Sequence, residues 1–126
     1  MERSQQSQAF HDKMIKRLAD SLIGKKFRDV RADHPDYSAK PLPIVMEQFT
    51  SFHIPDVTAV GIQNVLFEVE TDETIDDAHT REQWGLFASY AERNGAEFWI
   101  VVPSASMDDA RDRVASLGLN AKVMGF

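Results

Sequence analysis

The sequence predicts a single α/β domain, residues 1–126, built from a mixed β-sheet with flanking helices. Strand and helix segments alternate from residue 65 onward, which implies right-handed crossovers and parallel strands. The segments before residue 65 are short, strand-like and joined by turns, a pattern typical of antiparallel pairing. The length of 126 residues fits one domain with one core.

A helix is predicted over residues 7–23, because apolar side chains recur at every fourth position from Phe10 to Leu22. Gly24 follows at a position where helices commonly end. The prolines and turn formers of residues 33–43 indicate a loop. The strands predicted in this half span residues 26–32, 44–49, 54–60 and 65–70. The last two would form a hairpin, since "GIQN" supplies a turn between them.

The second half of the chain predicts two helices and two strands. Residues 80–94 have helical spacing, with Trp84 and Phe87 on the side expected to pack against the sheet, and Gly95 ends the segment. Ser106 and Asp109 resemble a capping box that opens a helix reaching residue 117. The strands are expected at residues 98–102 and 119–124. The predicted order is therefore αββββαβαβ.

Charge is distributed unevenly along the chain, whose net charge is −6. Residues 1–31 hold eight Lys or Arg against four acids, whereas the remainder holds six against sixteen. An acidic body argues against an extensive nucleic-acid surface but permits a local phosphate-contacting strip, for which Lys13, Lys16 and Arg17 are candidates. The alternative is that these residues form the solvated face of an amphipathic helix.

Cysteine is absent, which excludes disulfides and thiolate metal sites and suits a reducing compartment. The polar N-terminal sequence lacks the apolar region of a signal peptide, and no apolar run approaches the length that spans a membrane. We therefore expect a cytoplasmic protein that does not associate with membranes.

The segment "FEVETDETIDD" places two carboxylates on one face of a predicted strand. Side chains alternate along a strand, so Glu68 and Glu70 share a face. Two carboxylates about 4 Å apart repel by about 4 kcal/mol at an effective dielectric near 20. A semi-buried pair therefore needs a cation, a proton or a basic side chain nearby.

Asp56 is the candidate third member of this cluster, and the hairpin register decides whether it joins. An even register places Asp56 opposite Glu68 or Glu70 on their face, whereas a register shifted by one residue turns it to the other face. The sequence leaves both open. In an even register, three carboxylates would offer the oxygen ligands that Mg²⁺ or Mn²⁺ prefers.

The first helix, the Pro55-Asp56 dipeptide on the hairpin and the acidic motif Glu68-x-Glu70 together resemble the PD-(D/E)XK nuclease superfamily, the restriction-endonuclease-like fold. The resemblance implies Mg²⁺ or Mn²⁺ bound by Asp56 and Glu68, with the carbonyl of Val69 as a third ligand. The third motif position is usually Lys. Glu70 stands there instead, as in some active type II restriction endonucleases.

The resemblance further implies hydrolysis of phosphodiester bonds in DNA or RNA, with Glu70 orienting or deprotonating the attacking water. Gln83 is similar to a site Gln of the RecB-like nucleases, with Tyr90 as its companion. An acid of the first helix sometimes completes such a site, and either Asp12 or Asp20 would serve. A nuclease that cuts both strands of a duplex would also be expected to form a homodimer.

Other interpretations compete with this one. Glu68 and Glu70 could be charges on an exposed sheet face near an edge. The protein could equally be a catalytically inactive relative of the fold, or another α/β module, that serves protein association or regulation. The four histidines show no HExxH or paired spacing, so they are interpreted as incidental rather than as zinc ligands.

Overall fold

The computed structural model describes residues 3–126, which form three α-helices and one five-stranded sheet. The helices are α1 (Gln5–Ile23), α2 (Ala78–Asn94) and α3 (Met107–Ser116), the last preceded by a short 3-10 turn at Ser104–Ser106. The strands are β1 (Arg28–Ala32), β2 (Val57–Val60), β3 (Val65–Val69), β4 (Glu97–Val102) and β5 (Lys122–Gly125). Within residues 3–126, none of the helices combines the length and apolar character needed to cross a membrane.

The sheet is mixed, as predicted, with its strands arranged in sequence order from β1 to β5. The β1/β2 and β2/β3 pairs are antiparallel, whereas β3/β4 and β4/β5 are parallel. The parallel pairs follow from the crossovers through α2 and α3. The carboxyl ends of β3, β4 and β5 consequently lie at one edge of the sheet.

The strand predicted at residues 44–49 does not form, so the observed order is αβββαβαβ. Ile44 makes only an isolated bridge with His53. The alternation in this segment is real, because Ile44 and Met46 are buried while Val45 is 71% exposed. These residues pack against the core beside the sheet, and Pro43 immediately before Ile44 has no N–H to donate to a ladder.

Apolar residues cover both faces of the sheet. On one face, α2 and α3 pack through Trp84, Phe87 and Ala110 against β3 and β4, and the prediction that Trp84 and Phe87 belong to the core is confirmed. On the other face, α1 packs through Ile15, Ala19 and Leu22.

The helix ends differ from the predictions in detail. Helix α1 begins at Gln5, because the side chain of Ser4 accepts a hydrogen bond from the backbone N–H of Ser7 and caps the helix. The capping box predicted at Ser106 and Asp109 was wrong, since Ser106 precedes α3 but its side chain makes no capping hydrogen bond. Gly95 ends α2 with φ of 67°, as a left-handed C-terminal cap.

The start of α1 lies beside the carboxyl end of β3. The hydroxyl of Ser7 donates to that of Thr71 across 2.9 Å, and Ser4 donates from both its N–H and its hydroxyl to the Glu73 carboxylate. This contact brings the N-terminal residues to the strand that carries the two glutamates.

Candidate functional site

The register of the β2/β3 hairpin places Asp56 beside Glu68. Val57 pairs with Phe67 and Thr58 with Leu66, which is an even register, so the residue before Val57 lies opposite Glu68. The backbone N–H of Asp56 donates to Glu68 Oε1 across 3.0 Å. The backbone N–H of Val69 donates in turn to Asp56 Oδ2 across 2.7 Å. The question that the sequence left open is therefore answered in favour of a shared face.

Each of these two carboxylates uses only one oxygen in hydrogen bonds with the part of the chain that the structure describes. Asp56 Oδ2 and Glu68 Oε1 accept the bonds that fix the two side chains, whereas Asp56 Oδ1 and Glu68 Oε2 accept none from residues 3–126. Both residues are buried. The hairpin thus presents two rigidly held carboxylates with one oxygen each left for another ligand.

Glu70 directly follows the end of β3, two residues after Glu68, and is 2% exposed. Its Oε1 accepts hydrogen bonds from the Thr74 hydroxyl at 2.8 Å and from Arg3 Nη2 at 3.2 Å. Its Oε2 accepts from the indole N–H of Trp84 at 3.1 Å. The exposed-face alternative was therefore wrong for Glu68 and Glu70, because both carboxylates are enclosed.

Arg3 supplies a positive charge to this cluster. In addition to its contact with Glu70, Nη2 of Arg3 donates to the backbone carbonyl of Val69 across 3.3 Å. In the sequence, Arg3 stands out only as one of the basic residues of the N-terminal segment. No local signal could have linked it to residues more than sixty positions away in the chain.

His11 is the other site residue that sequence reasoning missed. Its Nε2 lies 3.3 Å from Asp56 Oδ2, and its Nδ1 lies 3.3 Å from Asp12 Oδ1. The helix face predicted from Phe10 was slightly rotated from the true one, because the buried stripe begins at His11 and continues through Ile15, whereas Phe10 is 43% exposed. His11 and Ile15 are four positions apart, which is the spacing of residues on one face of a helix. This spacing is the signal in the sequence that could have placed His11 on the buried face of α1.

Burial and mutual repulsion change the proton affinity of the cluster. Burial, together with the charges of Asp56 and Glu70, raises the pKa of Glu68 well above its ordinary value. Burial and the charge of Asp56 raise the pKa of Glu70 to about 7. Burial alone would lower the pKa of His11, but the hydrogen bond and charge of Asp56 outweigh it and raise that pKa. The cluster therefore binds protons more readily than isolated side chains of the same types do.

The remaining predicted residues of the site are placed differently. Gln83 is half-buried on α2, but the hydrogen bond from that helix to Glu70 comes from its neighbour Trp84. Tyr90 lines a separate concave surface with Asn94, away from the carboxylates. Of the two candidate acids on α1, Asp12 contacts His11, whereas Asp20 binds Lys16 and Tyr37.

The three basic residues of α1 that were candidates for phosphate contact differ in their surroundings. Lys16 forms an ion pair with Asp20 at 2.9 Å, so its charge is already paired with an acid of the same helix. Lys13 and Arg17 are exposed. Lys13 lines a concavity of about 670 Å³ together with Ser4, Thr71 and Glu73. This concavity lies at the carboxyl ends of β3 and β4. Lys13 and Arg17 line a second concavity of about 320 Å³ along the same helix.

Within the part of the chain that the structure describes, no three His, Asp or Glu side chains form a ready-made metal site. Comparison with protein-family models, curated proteins and solved structures gives no significant match.

Proposed function

We propose that this chain is a metal-dependent nuclease-like protein that hydrolyses phosphodiester bonds of DNA or RNA. The observation that carries the proposal is the pair Asp56 and Glu68, fixed side by side by backbone hydrogen bonds with one oxygen each left unbonded within residues 3–126. The Val69 carbonyl lies on the same short stretch of β3. These are the three groups that the resemblance to the PD-(D/E)XK superfamily implies as metal ligands.

The arrangement of elements supports the same proposal. The features that carry the resemblance are a first helix and an antiparallel hairpin, in which Asp56 directly precedes the first strand and Glu68 lies on the second. These features occur together in the folded chain, and helix α2 connects β3 to a parallel neighbour. We accordingly propose that the fold is restriction-endonuclease-like.

The chemistry of the donor groups fits a hard divalent cation. Carboxylate and carbonyl oxygens are the ligands that Mg²⁺ and Mn²⁺ prefer, and the absence of cysteine removes the softer competitors. The Arg3 guanidinium, bound to the Val69 carbonyl and to Glu70, indicates that this position favours positive charge. When bound, Mg²⁺ would screen the phosphate charge and lower the pKa of a coordinated water.

The side chains of the chain have separate tasks in this proposal. Asp56 and Glu68 would hold the cation, and His11 contacts the Asp56 carboxylate from the side of α1. Glu70 accepts a proton from the attacking water, a role that suits a carboxyl whose pKa is raised to about 7 and whose orientation is set by Trp84 and Thr74. Lys13 and Arg17 contact the phosphate backbone of the substrate.

Hydrolysis of end-labelled single- and double-stranded DNA and RNA oligonucleotides, with Mg²⁺ or Mn²⁺, tests the proposal. We expect metal-dependent cleavage that Asp56→Asn and Glu68→Gln each reduce by at least about a hundredfold, because each removes a charge from the metal site. Glu92→Gln, an exposed carboxylate of α2, is the matched control and should cleave at the wild-type rate. Wild-type protein that cleaves none of the substrates would favour a catalytically inactive module for protein association instead.

A further inference from the structure

We infer that Arg3 is a built-in, displaceable counter-ion that competes with the divalent cation for the carboxylate cluster. This inference rests on the proposed function and concerns regulation of the same site. In the metal-free chain, Arg3 neutralises part of the cluster's charge. A cation that binds to Asp56 and Glu68 must therefore displace Arg3 from the Val69 carbonyl.

The contacts of Arg3 overlap with the proposed metal ligands. Nη2 of Arg3 donates to the Val69 carbonyl at 3.3 Å and to Glu70 Oε1 at 3.2 Å. The Val69 carbonyl is the backbone ligand that the proposed metal would use. The same guanidinium therefore bonds a proposed metal ligand and a carboxylate of the cluster at once. A metal ion bound to the Val69 carbonyl would therefore repel the Arg3 guanidinium, which lies within hydrogen-bond distance of the same oxygen.

Arg3 does not use all of its hydrogen-bond donors in its contact with the cluster. Its Nε–H is buried without a hydrogen-bond partner among the described residues, although a buried donor normally has one. An unsatisfied buried donor costs free energy, and that cost offsets part of the gain from the ion pair with Glu70. The contact is consequently weaker than a fully bonded buried ion pair and more easily exchanged for another cation.

Arg3 is also able to leave without disturbing the fold. Helix α1 starts at Gln5, and its cap is Ser4, which is anchored to Glu73 through its N–H and hydroxyl. Arg3 precedes this cap, so rotation of its backbone and side chain moves the guanidinium without breaking a helical hydrogen bond. Ser4 lines the same concavity as Lys13, so a released Arg3 would lie beside the surface proposed to bind phosphates.

Calorimetric titration with Mn²⁺ compares the wild-type chain with Arg3→Gln and with Arg28→Gln. Arg28→Gln is a matched control, because it removes the same charge from an exposed position at the start of β1. We expect Arg3→Gln to bind Mn²⁺ about tenfold more tightly than wild type, since the competing charge is gone. Arg28→Gln should bind like wild type.

The outcomes separate this inference from the proposed function. If wild type binds Mn²⁺ and Arg3→Gln binds equally or more weakly, Arg3 is not a competitor, although the metal site stands. If neither protein binds Mn²⁺, the proposed metal site is wrong and the inference is overturned with it.

A second measurement uses the wild-type chain alone and does not depend on how well Arg3→Gln folds. The protein has two tryptophans, and their indole N–H groups donate to different carboxylates, Trp84 to Glu70 and Trp99 to Glu97. We expect added Mg²⁺ to shift the NMR signal of the Trp84 indole and to speed solvent exchange of the Arg3 Nε–H. The Trp99 signal is the internal control. An Arg3 signal that stays protected when the Trp84 signal has fully shifted would overturn the inference.

Discussion

At the scale of single residues, the site consists of buried carboxylates with few basic side chains to neutralise them. Glu68 and Glu70 are both almost inaccessible to solvent, yet Arg3 and His11 are the only basic side chains that contact the cluster among the described residues. The hydrogen bonds from Thr74 and Trp84 stabilise the Glu70 carboxylate without removing the repulsion from Asp56. Enclosing these like charges therefore costs free energy, and a bound cation would reduce that cost.

That cost predicts a pH dependence of stability. The pKa of Glu70 rises from 4.5 to about 7 on folding, and the pKa of Glu68 is also raised, so the folded chain binds more protons than the unfolded chain between these values. Stability must then fall as the pH rises through this interval. The raised pKa of His11 acts in the same direction. We expect the free energy of unfolding in metal-free buffer to fall by about 1–3 kcal/mol from about pH 5 to about pH 8.

Urea unfolding of the wild type at several pH values measures this slope. The double variant Glu68→Gln/Glu70→Gln provides the comparison, because it removes both titrating carboxyls and should flatten the dependence. A wild-type stability that rises with pH across the interval would show that these carboxyls are not destabilised by burial.

Among the elements of the fold, the hairpin and the first helix have different roles. The β2/β3 register brings Asp56 to Glu68, whereas α1 supplies His11 on its buried face and Lys13 and Arg17 on its exposed face. The ion pair of Lys16 with an acid of its own helix explains why only two of the three basic candidates remain available. The helix thus connects the proposed metal site to the proposed phosphate-binding surface.

This division predicts which basic residues matter for nucleic-acid binding. Lys13→Gln/Arg17→Gln should weaken binding of an oligonucleotide and lower the slope of log affinity against log salt by about 1 for each phosphate that the variant no longer neutralises. Lys16→Gln/Arg28→Gln removes the same total charge from other positions and should keep the wild-type slope. Fluorescence anisotropy at several salt concentrations, with Ca²⁺ in place of Mg²⁺ to suppress cleavage, measures both. Equal slopes for the two double variants would reject the assignment of Lys13 and Arg17.

For the molecule as a whole, the sequence was informative where local patterns dominate. Alternating strand and helix segments predicted the mixed sheet, and the paired glutamates predicted a charged cluster. The prediction of a strand at residues 44–49 was wrong. Ile44 and Met46 are buried at alternate positions, as in a strand, but the segment does not pair with the sheet. The contact of Arg3 with Glu70 depends on how α1 docks against the sheet, which no local pattern encodes.

The proposed function requires that Asp56, Glu68 and the Val69 carbonyl together bind a divalent cation. Anomalous diffraction from crystals soaked in Mn²⁺, recorded at the manganese absorption edge, locates such an ion. We expect one strong anomalous peak bounded by Asp56, Glu68 and the Val69 carbonyl, and the loss of that peak in Asp56→Asn crystals treated identically. Wild-type crystals that show no peak there at millimolar Mn²⁺, or a peak that persists in Asp56→Asn, would contradict the proposal.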